Sequence, residues 1–212
     1  MKILVTAGPT REYIDDIRFI SNPASGLMGL ELAKEAFRHG DSVTLVYGPV
    51  KLDIPPGVEA LEAVSARDMT ETVLQILASD QFDVLISTAA IADYTPCEKT
   101  GGKIRSGGEL TLKLKPTVKL LGAVRQKHHS LMLVGFKAEY GGSKDEILAS
   151  ARQLLEKYSL TLVCANDVSE KIFGADSTSM ILVSEKSVYK TGTVSKSEAA
   201  RKILDFIRKA SC

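Results

Sequence analysis

Two glycine-containing segments near the amino terminus could together hold a phosphate group. The first is Thr6-Ala7-Gly8-Pro9-Thr10, which ends an apolar run, and the second is Ser25-Gly26-Leu27-Met28-Gly29, which opens a stretch with helical periodicity. Backbone N–H groups and the dipole at a helix start attract anions, and glycine admits a ligand close to the backbone. The segments therefore predict an anion site. The alternative is that Gly8 and Gly26 only form tight turns.

These segments do not make the dinucleotide-binding fingerprint. That fingerprint has the pattern GxGxxG, a helix that begins directly after the strand, and an acidic residue about 20 positions later. Here residues 11–22 stand between the strand and the helix. The spacing argues against a simple NAD enzyme.

Small and polar residues follow two further strands where those strands end. Ala89 and Ala90 come after the apolar run 83–87, and Asn166 and Asp167 come after 161–165. Parallel strands end at one edge of a sheet, and open α/β sheets bind their ligands along that edge. We expect the small side chains of the two alanines to let a ligand approach closely.

The segment 92–109 is polar, glycine-rich and longer than most connections within a compact domain. Segments of this kind are usually functional or disordered. Lys103 lies in it, although a lysine in such a loop is ordinarily only solvated. Cys97 lies in the same segment, and the sequence shows no residue beside it that could act as a base to deprotonate its thiol.

His128 and His129 are adjacent in sequence and would point apart on a helix, which argues against a metal site there.

Short runs rich in Val, Ile and Leu alternate with stretches of helical period, as in a parallel sheet covered on both faces. Ser-x-x-Glu spacings at 143–146 and 195–198 predict capping boxes. The sequence predicts one domain over 1–212, with an α/β fold: a Rossmann-like three-layer α/β/α arrangement with a mainly parallel sheet and a C-terminal antiparallel hairpin. The predicted strands are 2–6, 42–47, 83–87, 131–135 and 161–165, the hairpin strands are 178–183 and 187–191, and the helices are 26–39, 66–79, 117–127, 143–158 and 195–209.

Composition excludes several classes of protein. Lys plus Arg number 27 and Asp plus Glu number 26, so there is no basic field for nucleic acid. The three cysteines are widely spaced and include no CxxC pair, which argues against a disulfide framework or a zinc site. No apolar run reaches the ~18 residues of a membrane span, and the amino terminus is unlike a signal peptide. We expect a cytoplasmic protein without membrane or nucleic-acid partners.

Residues 6–29, TAGPTREYIDDIRFISNPASGLMG, resemble the opening of the phosphopantothenoylcysteine synthetases. Their pattern is Thr-x-Gly-x-Thr-x-Glu, then Arg-x-Ile-(Ser/Thr)-Asn, then Ser-(Ser/Thr)-Gly-x-x-Gly. The resemblance continues to about residue 176, and ordered blocks of this kind are more specific than any single glycine motif. The further blocks, in the family's order, are AAIADY at 89–94, KIRS at 103–106, LVGFKAE at 133–139 and ANDV at 165–168.

The resemblance implies a two-step ligase reaction. The carboxylate of 4′-phosphopantothenate attacks the α-phosphate of a nucleoside triphosphate and releases pyrophosphate, and the amine of cysteine then displaces the nucleotide. Both nucleophiles belong to substrates, so the enzyme chiefly positions groups and stabilises oxyanions. The lack of a Ser/His/Asp or Cys/His constellation agrees with such chemistry.

The resemblance also assigns roles to single residues. Asn22 would hold the acyl-nucleotide through its amide, although an Asn before proline also suits a turn or an N-cap. Lys103 would neutralise phosphate charge from a mobile loop. Phe136 would lie near the base, although it could be a core aromatic. The remaining predicted nucleotide or substrate contacts are Gly8, Thr10, Ser25, Gly26, Gly29, Ala89, Ala90, Asp93, Lys119 and Asn166.

Two departures from the family pattern bear on nucleotide choice. Leu154 and Tyr158 stand where fused bacterial members have two nucleotide-contacting lysines, and residues 117–121, TVKLL, replace Pro-Asp-Ile-(Leu/Val). Prokaryotic members typically use CTP and eukaryotic members ATP. We expect Mg²⁺ with CTP, and ATP is the alternative. The second basic residue of the lysine loop is Arg105, which keeps charge but not ammonium geometry.

Family members are dimers, so a homodimer is expected in which the segment 92–109 contributes to the partner's site. The domain is often fused behind an FMN-dependent decarboxylase. No preceding domain is present in this sequence, so we expect no FMN here, and the chain could be a stand-alone enzyme or one half of a bifunctional one. Two other functions compete with the ligase: an NAD(P)-dependent oxidoreductase and a noncatalytic nucleotide-binding module.

Overall fold

The chain forms an eight-stranded sheet between two helical layers. The computed structural model describes residues 1–169 and 176–210. Strands β1, β4, β5, β6, β9 and β10 are parallel, and β11 and β12 complete one edge as an antiparallel hairpin, in the order β12-β11-β10-β9-β6-β1-β4-β5. Their bounds are β1 Lys2–Ala7, β4 Ser42–Tyr47, β5 Glu59–Glu62, β6 Val84–Ser87, β9 Met132–Glu139, β10 Leu162–Asp167, β11 Ser177–Val183 and β12 Val188–Ser195.

Two helices cover one face of the sheet and three cover the other. On the first face, α1 and α5 bury apolar side chains against β1 and the carboxyl-terminal hairpin. On the second face, α2, α3 and α4 pack over β6, β9 and β10. The helices are α1 Leu27–Arg38, α2 Ala66–Ser79, α3 Leu120–Lys127, α4 Lys144–Tyr158 and α5 Lys196–Ala210. The predicted three-layer fold is confirmed.

The central strands are stable because both of their faces are dry. Ile3, Leu4 and Val5 of β1 are fully buried, as are Leu85 and Ile86 of β6. Burial of each such side chain contributes about 1.5 to 3 kcal/mol relative to an exposed position. These strands fix the positions of the loops at their carboxyl ends.

Capping residues set the starts of three helices. Ser143 and Glu146 form the predicted capping box of α4, and Ser65 and Asp68 form another at α2. At α5 the Ser195 hydroxyl accepts a hydrogen bond from the Glu198 amide at 3.1 Å. These contacts satisfy amides that have no partner within the helix.

Several segments differ from the sequence prediction. Helix α3 begins at Leu120 rather than 117, because Thr117 is held by the backbone of Ala92 and Asp93: its amide donates to the Asp93 carbonyl at 2.9 Å and its hydroxyl to the Ala92 carbonyl at 2.6 Å. The predicted loop 92–109 contains a strand, β7 Tyr94–Pro96, which pairs with β8 Leu114–Pro116. Residues 11–21 form a second small hairpin, from β2 Arg11–Tyr13 and β3 Phe19–Ser21.

None of the helices within 1–169 and 176–210 combines the length and apolarity that crossing a bilayer requires.

Candidate functional site

A cavity of about 420 Å³ opens at the carboxyl edge of the parallel strands. The ends of β1, β6, β9 and β10 form its floor, and the start of α1 closes one side. This is the edge at which open α/β sheets bind ligands. Ten predicted residues line it: Gly8, Asn22, Ser25, Gly26, Gly29, Ala89, Ala90, Asp93, Phe136 and Asn166. Three predicted residues, Thr10, Lys103 and Lys119, are absent from the described lining.

The two predicted glycine segments meet in space. Gly8 and Gly26 both have left-handed backbones, with φ of 76° and 77°. A Cβ atom on Gly26 would lie 3.3 Å from the Cα of Gly8. A side chain at either position would therefore strain the backbone and crowd the contact. Glycine is required here to bring the end of β1 against the start of α1.

The start of α1 has unused hydrogen-bond donors at the cavity. Gly26 is the N-cap and offers no side-chain acceptor, and the Ser25 hydroxyl lies 3.4 Å from the Leu27 amide. Within the described residues, the amides of Met28 and Gly29 have no protein acceptor. Free amides at a helix start are suited to bind a phosphate.

Gly29 also has a packing role, and this leads to a stability prediction. A Cβ atom there would lie 2.5 Å from the Ala7 Cβ and 2.6 Å from the Thr88 hydroxyl oxygen. Such overpacking costs about 1 to 3 kcal/mol. The ~1 kcal/mol that alanine gains over glycine in helix propensity offsets part of this cost. Gly29→Ala is expected to lower the free energy of unfolding by up to about 2 kcal/mol in urea titrations.

Gly107→Ala is the matched control, because a Cβ atom on Gly107 would meet no atom within 4 Å. Equal free energies of unfolding for the two variants would contradict the close contact between α1 and β1.

Asn22 is held at the cavity by one of its two amide protons. Its Nδ2 donates to the Ala90 carbonyl at 3.1 Å. The neighbouring Ser21 hydroxyl donates to the Thr10 carbonyl at 2.7 Å. One N–H donor and the carbonyl oxygen of the Asn22 side chain remain available to a ligand, since an amide offers two donors.

Thr10 supports the cavity wall from behind. It is fully buried, and its hydroxyl accepts a hydrogen bond from the Ala92 amide at 3.0 Å. Pro9 forms an isolated bridge with Ala90 beside it. In this structure Thr10 therefore positions the segment 89–92 and does not itself face the cavity.

Lys119 reaches the cavity through Asp93. The Lys119 ammonium forms an ion pair with the Asp93 carboxylate, and both side chains are more than half exposed. Lys119 is the N-cap residue of α3. An exposed pair of this kind contributes little to stability, so its position at the cavity mouth suits contact with a charged ligand better than a structural role.

Lys103 lies on an exposed segment that is fixed on either side of it. The Gly102 amide donates to the Asp16 carboxylate at 2.7 Å, and the Ile104 amide donates to the Asp15 carboxylate at 3.1 Å. A hydrogen bond from the Arg18 amide is the main cause that holds the pKa of Asp15 below its ordinary value, so this anchor stays charged at neutral pH. The β2–β3 turn thus holds the segment that carries Lys103.

Several lining residues were not predicted. Lys137 follows Phe136 in β9, and its ammonium lies 3.3 Å from the Glu139 carboxylate. Thr178 of β11 and Lys196 of α5 come from the far edge of the sheet. Burial lowers the pKa of Lys196, and the nearby Asp176 opposes that shift. The Ser-x-x-Glu spacing at 195–198 predicted the start of α5. It was the signal in the sequence that placed Lys196 at the beginning of a helix.

A larger surface groove, of about 890 Å³, lies at the opposite edge of the sheet beside Asp80, Asp83, His128 and His129. It adjoins the amino ends of the strands, where parallel sheets seldom bind ligands.

Among the described residues no group of three His, Cys, Asp or Glu side chains could hold a metal ion. Cys97 and Cys164 are free thiols, burial raises the pKa of Cys164, and Cys212 lies outside the described residues. We therefore place the functional site at the carboxyl edge.

Leu154 and Tyr158 pack inside the second helical layer. The Tyr158 ring lies against Gly122 of α3, and Leu154 lies against Gly135 of β9. Neither residue is among the described residues that line the cavity.

Known proteins are similar to this chain in both sequence and fold. The family model of the DNA/pantothenate metabolism flavoprotein C-terminal domain matches residues 1–210. The coenzyme A biosynthesis bifunctional protein CoaBC of Thermococcus kodakarensis is 38% identical over 209 residues, which are 98% of this chain and 51% of that protein. The chain therefore spans about half the length of this curated relative.

Two solved structures superpose closely on the chain. The C-terminal domain of a coenzyme A biosynthesis bifunctional protein CoaBC gives a TM-score of 0.81 at 33% identity, over 97% of this chain and 93% of that one. The DNA/pantothenate metabolism flavoprotein from Streptococcus pneumoniae gives a TM-score of 0.87 at 27% identity, over 99% of each chain. Both likenesses extend over the whole sheet and its two helical layers.

Proposed function

The chain belongs to the family of DNA/pantothenate metabolism flavoprotein C-terminal domains, and from this premise we propose that it is a phosphopantothenate–cysteine ligase. The observation that carries the proposal is the cavity in which Asn22, the start of α1 and the end of β6 come together. In the proposed reaction a nucleoside triphosphate is attacked at its α-phosphate by the carboxylate of 4′-phosphopantothenate. Pyrophosphate leaves, and the cysteine amine then displaces the nucleoside monophosphate to form the amide.

The cavity offers the groups that this reaction needs. The free amides of Met28 and Gly29 can bind phosphate oxygens at the start of α1. The Asn22 amide can donate to an oxyanion of the acyl-nucleotide without bringing a charge that must be desolvated. Phe136 provides an apolar surface for a base or for the pantothenoyl chain. Ala89 and Ala90 keep the floor of the cavity open.

Mg²⁺ would accompany the triphosphate. Among the described lining residues Asp93 is the one carboxylate, and no cluster of three acidic or histidine side chains is present in the described chain. This set fits Mg²⁺, which is commonly held by one or two carboxylates together with substrate phosphates. When bound, the ion would neutralise phosphate charge. CTP is the favoured nucleotide and ATP the alternative.

The ligase can be tested by product analysis. Purified protein is incubated with 4′-phosphopantothenate, cysteine, Mg²⁺ and either CTP or ATP, and the amide is measured by mass spectrometry. We expect the amide, with one pyrophosphate released for each amide formed, and a clear preference for one nucleotide. A folded protein that forms no amide with either nucleotide would exclude the ligase.

Pyrophosphate release and a second assay, NADPH fluorescence, separate the ligase from the two competing functions. A noncatalytic nucleotide-binding module would bind CTP or ATP and release no pyrophosphate. An NAD(P)-dependent oxidoreductase would change the fluorescence of NADPH on mixing, and a ligase would not.

The proposal includes a cytoplasmic location, and the free thiols of Cys97 and Cys164 agree with a reducing compartment.

An exposed apolar surface supports a homodimer. It lies on the β2–β3 and β7–β8 hairpins, which contact each other, and on the residues that follow them. A surface of this kind commonly marks a protein interface. We expect a dimer mass by light scattering at micromolar concentration, and a monomer mass there would contradict the assembly. The exposed residues are Ile17, Phe19, Tyr94, Leu110, Leu112, Leu114 and Val118.

A further inference from the structure

Lys196 is a buried cation at the functional cavity. It is the first residue of α5, is 8% exposed and lines the cavity. Among the described residues its ammonium makes no hydrogen bond or ion pair, unlike that of Lys137, which is paired with Glu139. Lys196 is therefore a largely buried cation that has a carboxylate nearby, Asp176, but forms no ion pair in the described chain. Its position at a cavity favours a ligand that supplies further negative charge.

Thr178 presents a second polar group without a partner. It is 2% exposed and lines the same cavity, and its hydroxyl has no hydrogen-bond partner in the described chain. Strands β11 and β12 place Thr178 opposite Val194, and the Lys196 amide donates to the Asp176 carbonyl at 2.9 Å, two residues further along the pair. An unsatisfied buried hydroxyl costs about 1 to 3 kcal/mol unless a ligand uses it.

These two residues stand beside the free amides of α1. Leu27 and Lys196 line the main cavity together and also share a small cavity next to it, so the starts of α1 and α5 are adjacent. The group of cation, hydroxyl and helix amides consists entirely of donors that a phosphate can accept. The described carboxylates close to Lys196 are Asp176 and, in the small cavity, Glu31.

We propose that Lys196 and Thr178 form a phosphate-binding subsite at the junction of α1, β11 and α5. The proposal rests on the ligase function for the identity of its ligand. Under that function two sources of phosphate are available: the triphosphate of the nucleotide, from which pyrophosphate departs, and the 4′-phosphate of phosphopantothenate. The shared chemistry is a phosphate group with two or more negative charges.

The test is calorimetric binding to the full chain, carried out on Lys196→Met and Thr178→Val. The probes are CTP, ATP, CMP, 4′-phosphopantothenate, pantothenate and inorganic pyrophosphate. Loss of a charge-assisted contact is expected to raise the Kd of the subsite's ligand roughly 10- to 100-fold in Lys196→Met and about tenfold in Thr178→Val. Lys209→Met, an exposed lysine on the same helix, is the matched control and should bind every probe normally.

The pattern of change identifies the source of the phosphate. Weaker binding of the triphosphates and pyrophosphate, with CMP and 4′-phosphopantothenate unchanged, would assign the subsite to the triphosphate. Weaker binding of 4′-phosphopantothenate, with lost discrimination against pantothenate, would assign it to the 4′-phosphate. Kd values of both variants within twofold of the unmodified chain for every probe would overturn the subsite.

Stability separates a binding role from a structural one. Without ligand, both variants should melt at the same or a higher temperature. Thr178→Val removes a buried hydroxyl that has no hydrogen-bond partner in the described chain, and Lys196→Met replaces a largely buried cation with an apolar side chain. A lower melting temperature with unchanged Kd values would make Lys196 a structural residue and overturn the proposal. Failure of the ligase function would appear instead in the unmodified chain, as absence of amide product, and pyrophosphate binding would still test the subsite.

Discussion

Replacing Asn22 with alanine is expected to lower the rate of amide formation by about 100- to 1000-fold, the usual effect of removing one preorganised oxyanion donor. Binding of the nucleoside triphosphate should stay within about twofold of the unmodified chain, because the amides at the start of α1 remain. Rates of pyrophosphate release and amide formation, together with calorimetric Kd values, measure the two effects separately.

The expectation follows from how Asn22 is held. Its hydrogen bond to the Ala90 carbonyl fixes the side chain before substrate binds and leaves the second amide proton free. Asn22→Asp tests the same point without a change of shape, because aspartate has no N–H donor and adds a negative charge beside the phosphates. It should be at least as impaired as Asn22→Ala.

Gln126→Ala is a suitable control, since Gln126 is an exposed amide on α3 outside the cavity. It should form the amide at the normal rate. If Asn22→Ala kept its rate within about fivefold of this control, Asn22 would be a turn residue before Pro23 and the proposed oxyanion contact would be wrong.

Replacing Lys103 with methionine is expected to lower the rate of amide formation by roughly 100-fold, the effect of losing a charge-assisted contact to a phosphate oxygen. The side chain is exposed, so the melting temperature should not change. Lys103 lies outside the described cavity lining. Its action therefore requires either that the hydrogen bonds of Gly102 to Asp16 and of Ile104 to Asp15 open and the segment move over the bound substrates, or that the segment of a second subunit reach them. Steady-state rates with saturating substrates measure the loss.

Lys113→Met is the matched control, because Lys113 is another exposed lysine in the segment between β7 and β8. Lys103→Arg should recover part of the rate, since it restores the charge with a different donor geometry. Equal rates for Lys103→Met and Lys113→Met would mean that Lys103 is only a solvated loop residue.

The large elements of the fold were predictable from the sequence. Strand β4 at 42–47 and helix α2 at 66–79 have the predicted bounds, because continuous apolar runs and helical periodicity are strong signals. The family, predicted from several blocks in a fixed order, is confirmed by the match over residues 1–210. These features depend on local sequence and needed no knowledge of tertiary contacts.

The short strands were not predictable. Each of β2, β3, β7 and β8 has three residues, too few to show alternation, and they form because their partners are brought together by the chain. Strand β5 has the sequence EALE, with two glutamates and little β-propensity, and it pairs with β4 at the edge of the sheet. Tertiary pairing overrides local preference in both cases.

The site was predicted best where it depends on strand ends. Ala89, Ala90 and Asn166 were expected at one edge because parallel strands end together, and Phe136 was expected near the nucleotide from the family resemblance. The structure brings all four to one cavity. Lys196 was missed because a lysine at the start of a polar helix normally faces solvent. The start of α5 packs against α1 and the β11–β12 hairpin, and local sequence does not encode those contacts.

The most direct measurement of the central claim follows oxygen from substrate to product. 4′-Phosphopantothenate labelled with ¹⁸O in its carboxylate is incubated with cysteine, Mg²⁺ and CTP or ATP, and the products are analysed by mass spectrometry. The proposed reaction predicts the amide, unlabelled pyrophosphate and a nucleoside monophosphate that carries one ¹⁸O, because the carboxylate oxygen bonded to the α-phosphate leaves with the nucleotide. Absence of the amide, or amide formed with ¹⁸O in inorganic phosphate and a nucleoside diphosphate, would contradict it.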